Sequence, residues 1–147
     1  MKKMSVRVLI LLVLAGLLAV PAFAGPVTLV GSWSASATDD NTGEEFRTLW
    51  TFNVDRTLTV SGDLDNASTG HGAWKRMGRR TFEAVNTVFL FGPDGTLAFL
   101  LKNRATFEVS SDGDSFTAVA ESDLTLPDGT VIDSSSNVAN GTRIKVD

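Results

Sequence analysis

The sequence predicts an all-β domain, an antiparallel up-and-down meander of eight or nine strands closed into a barrel. Three observations lead there. β-branched and aromatic residues alternate with polar ones over short runs, Gly, Asp, Asn and Pro separate the runs, and nothing after residue 24 carries a helical stripe. Successive strands with no helix to cover a sheet face are best satisfied by closure, which removes unpaired edges and creates an inside. A two-sheet β-sandwich meets the same spacing and stands as the alternative. The long runs at 80–91 and 96–110 favour the barrel, whose steeply tilted strands outrun those of most sandwiches.

Taken in order, the alternation places strands at 31–38, 46–53, 57–62, 71–77, 80–91, 96–110, 115–126, 130–138 and 141–147. Segments 38–44 and 63–70, rich in Asp, Asn, Ser, Thr and Gly, read as surface loops. Asn53-Val54-Asp55-Arg56 and Met77-Gly78 read as turns. Gly92-Pro93-Asp94-Gly95, Ser111-Asp112-Gly113-Asp114 and Pro127-Asp128-Gly129 each hold an Asp-Gly pair between two strand-like runs. Asp-Gly accepts the positive φ of tight hairpins, so three hairpins follow one another and the order is a meander.

Residues 1–24 have the three parts of a secretory leader. Lys2, Lys3 and Arg7 supply positive charge, 8–20 is almost wholly apolar, and Ala22-Phe23-Ala24 ends in a small-residue cleavage pattern. The apolar stretch is shorter than the roughly 20 residues a bilayer span needs. The expectation is therefore a signal peptide at 1–24, a single domain at 25–147 beginning with Gly25, and a secreted or periplasmic protein with no stable membrane insertion after cleavage. The leader takes three of the 13 basic residues and none of the 17 acidic ones, leaving a strongly acidic domain. Such a surface argues against nucleic acid or anionic membrane as a partner. With no cysteine in the chain, core packing and hydrogen-bond ladders hold the fold without disulfides. The oligomeric state is not written in the sequence.

Gly31-Ser32-Trp33 opens the first strand directly after the apolar residues 27–30, and Arg143 lies on the last. This resembles the lipocalin and wider calycin barrels, and more specifically a small exported bacterial barrel of that kind. The resemblance implies that Trp33 lies across the closed end of the barrel, that Arg143 packs over it, and that Gly31 lets the backbone pass close to the ring.

Chemistry finds little support. His71 is the sole histidine, no ligand spacing for a metal appears, and no Gly-x-Ser-x-Gly elbow occurs. No cofactor is expected. His71 reads as a solvent-facing or capping residue, and the turn aspartates as turn chemistry rather than calcium ligands. Lys75, Arg76, Arg79 and Arg80 form a short basic hairpin, read as solvated in preference to a clamp for an anionic group.

The inward rows say more. Leu97, Phe99, Leu101, Asn103, Ala105, Phe107 and Val109 share one face of their strand, with Lys102, Arg104 and Glu108 on the other. On the next, Phe116, Ala118, Ala120, Ser122 and Leu124 alternate with Thr117, Glu121 and Asp123. Trp33, Ala35 and Ala37 form a third row, and Trp50 and Phe52 share a face. Large apolar residues around small ones, with isolated polar points at Asn103 and Ser122, suit an apolar pocket with a few orienting groups. The same small residues also suit the taper of a filled barrel. The candidate ligand-binding residues are Trp50, Phe99, Leu101, Asn103, Phe107, Ala118 and Ala120, and the expected partner is a small apolar or amphipathic molecule held without chemistry. Two alternatives remain: an interaction module with a filled core, and an enzyme resembling allene oxide cyclase-like barrels, with Glu83 or Asn86 steering charge in an apolar cavity. An ionisable group inside the cavity discriminates in favour of the enzyme.

Overall fold

Alternation of apolar and polar residues with Asp-containing turns between them yields eight strands: β1 (Gly31–Asp39), β2 (Glu45–Phe52), β3 (Thr57–Gly62), β4 (Gly70–Arg76), β5 (Thr81–Phe91), β6 (Leu97–Val109), β7 (Ser115–Thr125) and β8 (Val131–Arg143). The computed structural model describes residues 26–146. The expected leader at 1–24 and the start at Gly25 lie outside them. Each strand pairs antiparallel with the next, and β1 pairs with β8, so the meander closes into a barrel. The sandwich alternative is excluded.

Four connections share one hairpin geometry. In 53–56, 92–95, 110–113 and 126–129 the amide of the fourth residue donates to the carbonyl of the first, and the last residue has positive φ. Asp55, Asp94, Asp112 and Asp128 each accept the backbone N–H two residues on. Three of the positive-φ positions are Gly95, Gly113 and Gly129; the fourth is Arg56, at φ 73°. These turns end adjacent strands at the intended register and so fix which side chains face in.

The nine-strand count is corrected to eight. Asn140-Gly141 resembles a turn in sequence, yet the chain runs straight through it, because Gly141 pairs with Ala35 on one side and Phe116 on the other. A Cβ at Gly141 would stand 2.3 Å from the Phe116 ring, so the ring takes the space that the glycine leaves. A second correction concerns the mouth end of β6. Leu90 pairs with Phe99 but Phe91 pairs with Leu97, which makes Ala98 a bulge and turns Leu97 outward, 38% exposed. Leu97 therefore leaves the inward row in which alternation placed it.

The inward rows differ in bulk from one end of the barrel to the other. Toward the end where the chain enters and leaves, the rows supply Trp33, Phe52, Phe82, Phe107 and Phe116, joined by Leu29, Leu58 and Val109, all buried. The rings interlock: Phe107 stands edge-on to Phe116 at 5.0 Å and to Phe52 at 5.3 Å, and Trp33 meets Phe116 at 5.2 Å. Such edge-to-face pairs add about 0.5–1.5 kcal/mol each beyond their area burial. Toward the other end the rows thin to Ala37, Ala120, Ser122 and Ala139, which cannot meet across the barrel. One half is filled and the other is hollow.

Candidate functional site

The closed end is sealed by residues 26–30, which cross beneath the aromatic cluster. Leu29 plugs it with no exposed surface. The Trp33 indole N–H donates to the Leu29 carbonyl at 2.9 Å. The Arg143 guanidinium lies over the Trp33 ring at 4.1 Å and donates to the carbonyls of Thr28, Val30 and Gly113 at 2.8, 2.6 and 2.8 Å. Burial lowers the Arg143 pKa, and the nearby Asp114 carboxylate opposes that shift. Gly31 has φ 126°, and a Cβ there would stand 2.6 Å from Arg143 Nη1. Gly31, Trp33 and Arg143 thus meet as one cluster, with the glycine required twice, by its backbone angle and by the guanidinium beside it.

Two more arginines stand on this end. Arg56 lies over Trp74 at 4.7 Å, and the Trp74 indole N–H donates to the Asn53 carbonyl. Arg76 lies over Phe82 at 4.6 Å and donates to the Val27 carbonyl at 2.6 Å. The reading of the basic hairpin as merely solvated is corrected for Arg76, which pins the entering chain from the side opposite Arg143. Lys75 and Arg80 pair with Glu83 and Glu108. His71 is exposed.

The hollow half holds a cavity of about 470 Å³. Trp50, Val60, Val88, Leu101 and Phe107 give its wall bulk; Ala37, Ala105, Ala118, Ala120 and Ala139 leave it room. Its floor is the aromatic cluster, through Trp50 against Phe107 at 5.5 Å. The loop at 63–69 folds along β5, with Ala67 bridging Leu90 and the Phe91 N–H donating to the Asn66 carbonyl, so Leu64, Ala67 and Ser68 form part of the rim. Of the seven candidate residues, Trp50, Leu101, Asn103, Phe107, Ala118 and Ala120 line one cavity. Phe99 does not; it pairs with Leu90 next to the bulge, only partly buried.

One wall carries a ladder of neutral polar side chains across four adjacent strands. Asn137 Nδ2 donates to Ser122 Oγ at 3.3 Å, Ser122 Oγ to Asn103 Oδ1 at 2.7 Å, and Asn103 Nδ2 to Asn86 Oδ1 at 3.0 Å. Asn86, on the inward row of β5, is 5% exposed, and its Nδ2 has no partner among the described residues. An unmet buried amide donor costs about 1–3 kcal/mol. Glu83 takes the opposite face of β5 and pairs with Lys75 outside the barrel. Asn103 and Ser122 are therefore linked rather than isolated. Asn137 went unnoticed in the sequence because the expected strand broke just after it; the alternation Ser135, Asn137, Ala139 was the available signal.

The ionisable groups that line the cavity are Asp39, Glu44, Glu45 and Asp63, all at the rim. Hydrogen bonds hold three of them: Asp39 accepts the amides of Asn41 and Thr42, Asp63 that of Arg47, and Glu45, on the outward row of β2, the Ser36 hydroxyl. The bond from the Thr42 amide holds the Asp39 carboxyl below its ordinary pKa of 3.8. Among the described residues no group of three or more His, Cys, Asp or Glu is placed to hold a metal ion. No protein-family model matches this sequence, and no curated protein matches it.

Proposed function

We propose that this protein is an exported binding barrel that holds a small apolar or amphipathic molecule in its hollow half, without chemistry. The cavity carries the reading. Its volume falls within the 300–1,000 Å³ usual for small-molecule sites, its wall is mainly apolar, and its few polar groups converge on one side, as orienting groups do. The inward rows beneath the rim bear amides, hydroxyls, alanines and aromatic rings but no ionisable side chain, which supports holding a molecule rather than transforming it. The filled half counts against neither: it closes the floor, and the pinned segment 26–30 seals it. The meeting of Gly31, Trp33 and Arg143 at that floor supports kinship with lipocalin-like barrels, and the leader pattern at 1–24 supports work outside the cytoplasm.

Titration with the neutral fluorophore N-phenyl-1-naphthylamine tests the proposal. The protein is expected to enhance and blue-shift its emission with one saturable site. Ala118→Phe projects a ring into the cavity between Phe107 and Ala139, its cross-strand neighbours, so this variant is expected to keep its β-sheet circular dichroism and lose the probe. A wild type that takes up no probe, together with a variant that unfolds because the space is already filled, refutes the proposal.

A further inference from the structure

The meander sorts its connections between the two ends of the barrel, and charge is sorted with them. The four connections at the cavity end, 40–44, 63–69, 92–96 and 126–130, contain Asp40, Glu44, Asp63, Asp65, Asp94 and Asp128 and neither Lys nor Arg. The opposite end carries both signs, Arg56, Arg76, Arg79, Arg80, Arg143 and Lys145 alongside Asp55, Asp112 and Asp114. Arg47, the base nearest the rim in sequence, lines a shallow groove on the outer face of the wall with Ser36, Glu45 and Asn140. The three ion pairs among the described residues, Lys75–Glu83, Arg80–Glu108 and Lys145–Asp114, leave every rim carboxylate without a cation.

These carboxylates are not a free-standing acidic patch. Asp39, Glu44 and Asp63 border the same cavity as Trp50 and Leu101, while Glu45, on the outward row of β2, takes the Ser36 hydroxyl. Low-dielectric walls under a single-sign rim focus the field into the opening. Further down, the ladder from Asn137 to Asn86 is neutral. A bound carboxylate would meet three like charges on entry and no counterion inside. An ammonium group would meet opposite charges at the rim.

We infer that the cavity takes a cationic amphiphile, its hydrocarbon chain against the apolar wall and its ammonium group among the rim carboxylates, and discriminates against fatty carboxylates of the same length. This inference rests on the cavity being a ligand site. Three compounds with one twelve-carbon chain test it: dodecyltrimethylammonium, 1-dodecanol and dodecanoate, each below its micellar concentration and competing with N-phenyl-1-naphthylamine on the full protein. In low salt the ammonium compound is expected to displace the probe at least about tenfold more tightly than dodecanoate, with dodecanol between them. A single charge pair is weak in water, but three carboxylates act together and the sign reverses between the two ligands. Raising ionic strength to about 1 M, where the Debye length is about 3 Å, is expected to close most of the gap. The double variant Glu44→Gln, Asp63→Asn, which keeps an acceptor for the Arg47 amide, is expected to narrow it. Dodecanoate binding as tightly as the ammonium compound overturns the charge inference and leaves the binding barrel standing. Failure of the probe and all three compounds to bind overturns both.

Discussion

Replacing Gly31 and Arg143 singly and together measures whether the closed end is a single coupled unit. Arg143→Ala removes the guanidinium from the Trp33 face and three hydrogen bonds to backbone carbonyls. The cation–π contact is worth about 0.5–2 kcal/mol, and a hydrogen bond to a charged donor about 1.5–3 kcal/mol. The carbonyl of Thr28 is exposed enough to regain water, so the contact and the two remaining hydrogen bonds set an upper bound of about 3.5–8 kcal/mol on the loss. Gly31→Ala carries two separable costs: a backbone angle that L residues avoid, about 1–3 kcal/mol, and a Cβ placed 2.6 Å from Arg143 Nη1. In the absence of Arg143 only the first cost remains. The double variant is therefore expected to be more stable than the two single losses predict, by about 1 kcal/mol or more, the range typical of residues in contact. Guanidinium unfolding followed by tryptophan fluorescence, with equal m-values across the set, gives all four free energies. Strict additivity would show that the glycine and the guanidinium act independently, and the account of the sealed end would be wrong.

Two further expectations follow from the wall and the turns. Gly141→Ala places a Cβ 2.3 Å from Phe116, whose ring is held by Trp33 and Phe107; it is expected to cost about 1–3 kcal/mol or more through overpacking, with Phe116→Leu in the same chain restoring much of it, read as the shift in denaturation midpoint. Asp39, Asp55, Asp94, Asp112 and Asp128 sit below their ordinary carboxyl value of 3.8, owing to hydrogen bonds from the amides or hydroxyls of Thr42, Thr57, Thr96, Ser110 and Thr130 respectively. Because the folded values lie below the unfolded one, their contribution is fully present above pH 3.8 and is lost as pH falls through the depressed values. The melting temperature is expected to fall as pH drops below about 4, and a flat profile down to pH 2 would deny these turns their role.

The sequence alone determined what depends on short-range rules. Side chains alternate across a strand with a period of two, so the inward faces of β6 and β7 could be read directly, and six of the seven candidate residues line one cavity. Asp-Gly pairs favour tight hairpins, so the meander could be read as well, while the choice of barrel over sandwich was decided by the pairing of β1 with β8. Gly31, Trp33 and Arg143 were legible only by resemblance, since 110 residues of chain separate the tryptophan from the arginine that covers it. Tertiary structure decided wherever local signals are ambiguous. Asn140-Gly141 became strand because Phe116 fills the glycine's space, and Leu97 turned outward because one extra residue, Ala98, shifted the register. Arg76 became a pin because Val27 passes beside it. Above all, whether the barrel is hollow or filled depends on the bulk of all eight inward rows at each level, a sum over strands that no single stretch of sequence contains. Large rings coincide at one end and small residues at the other. The cavity exists because closure brings those levels together.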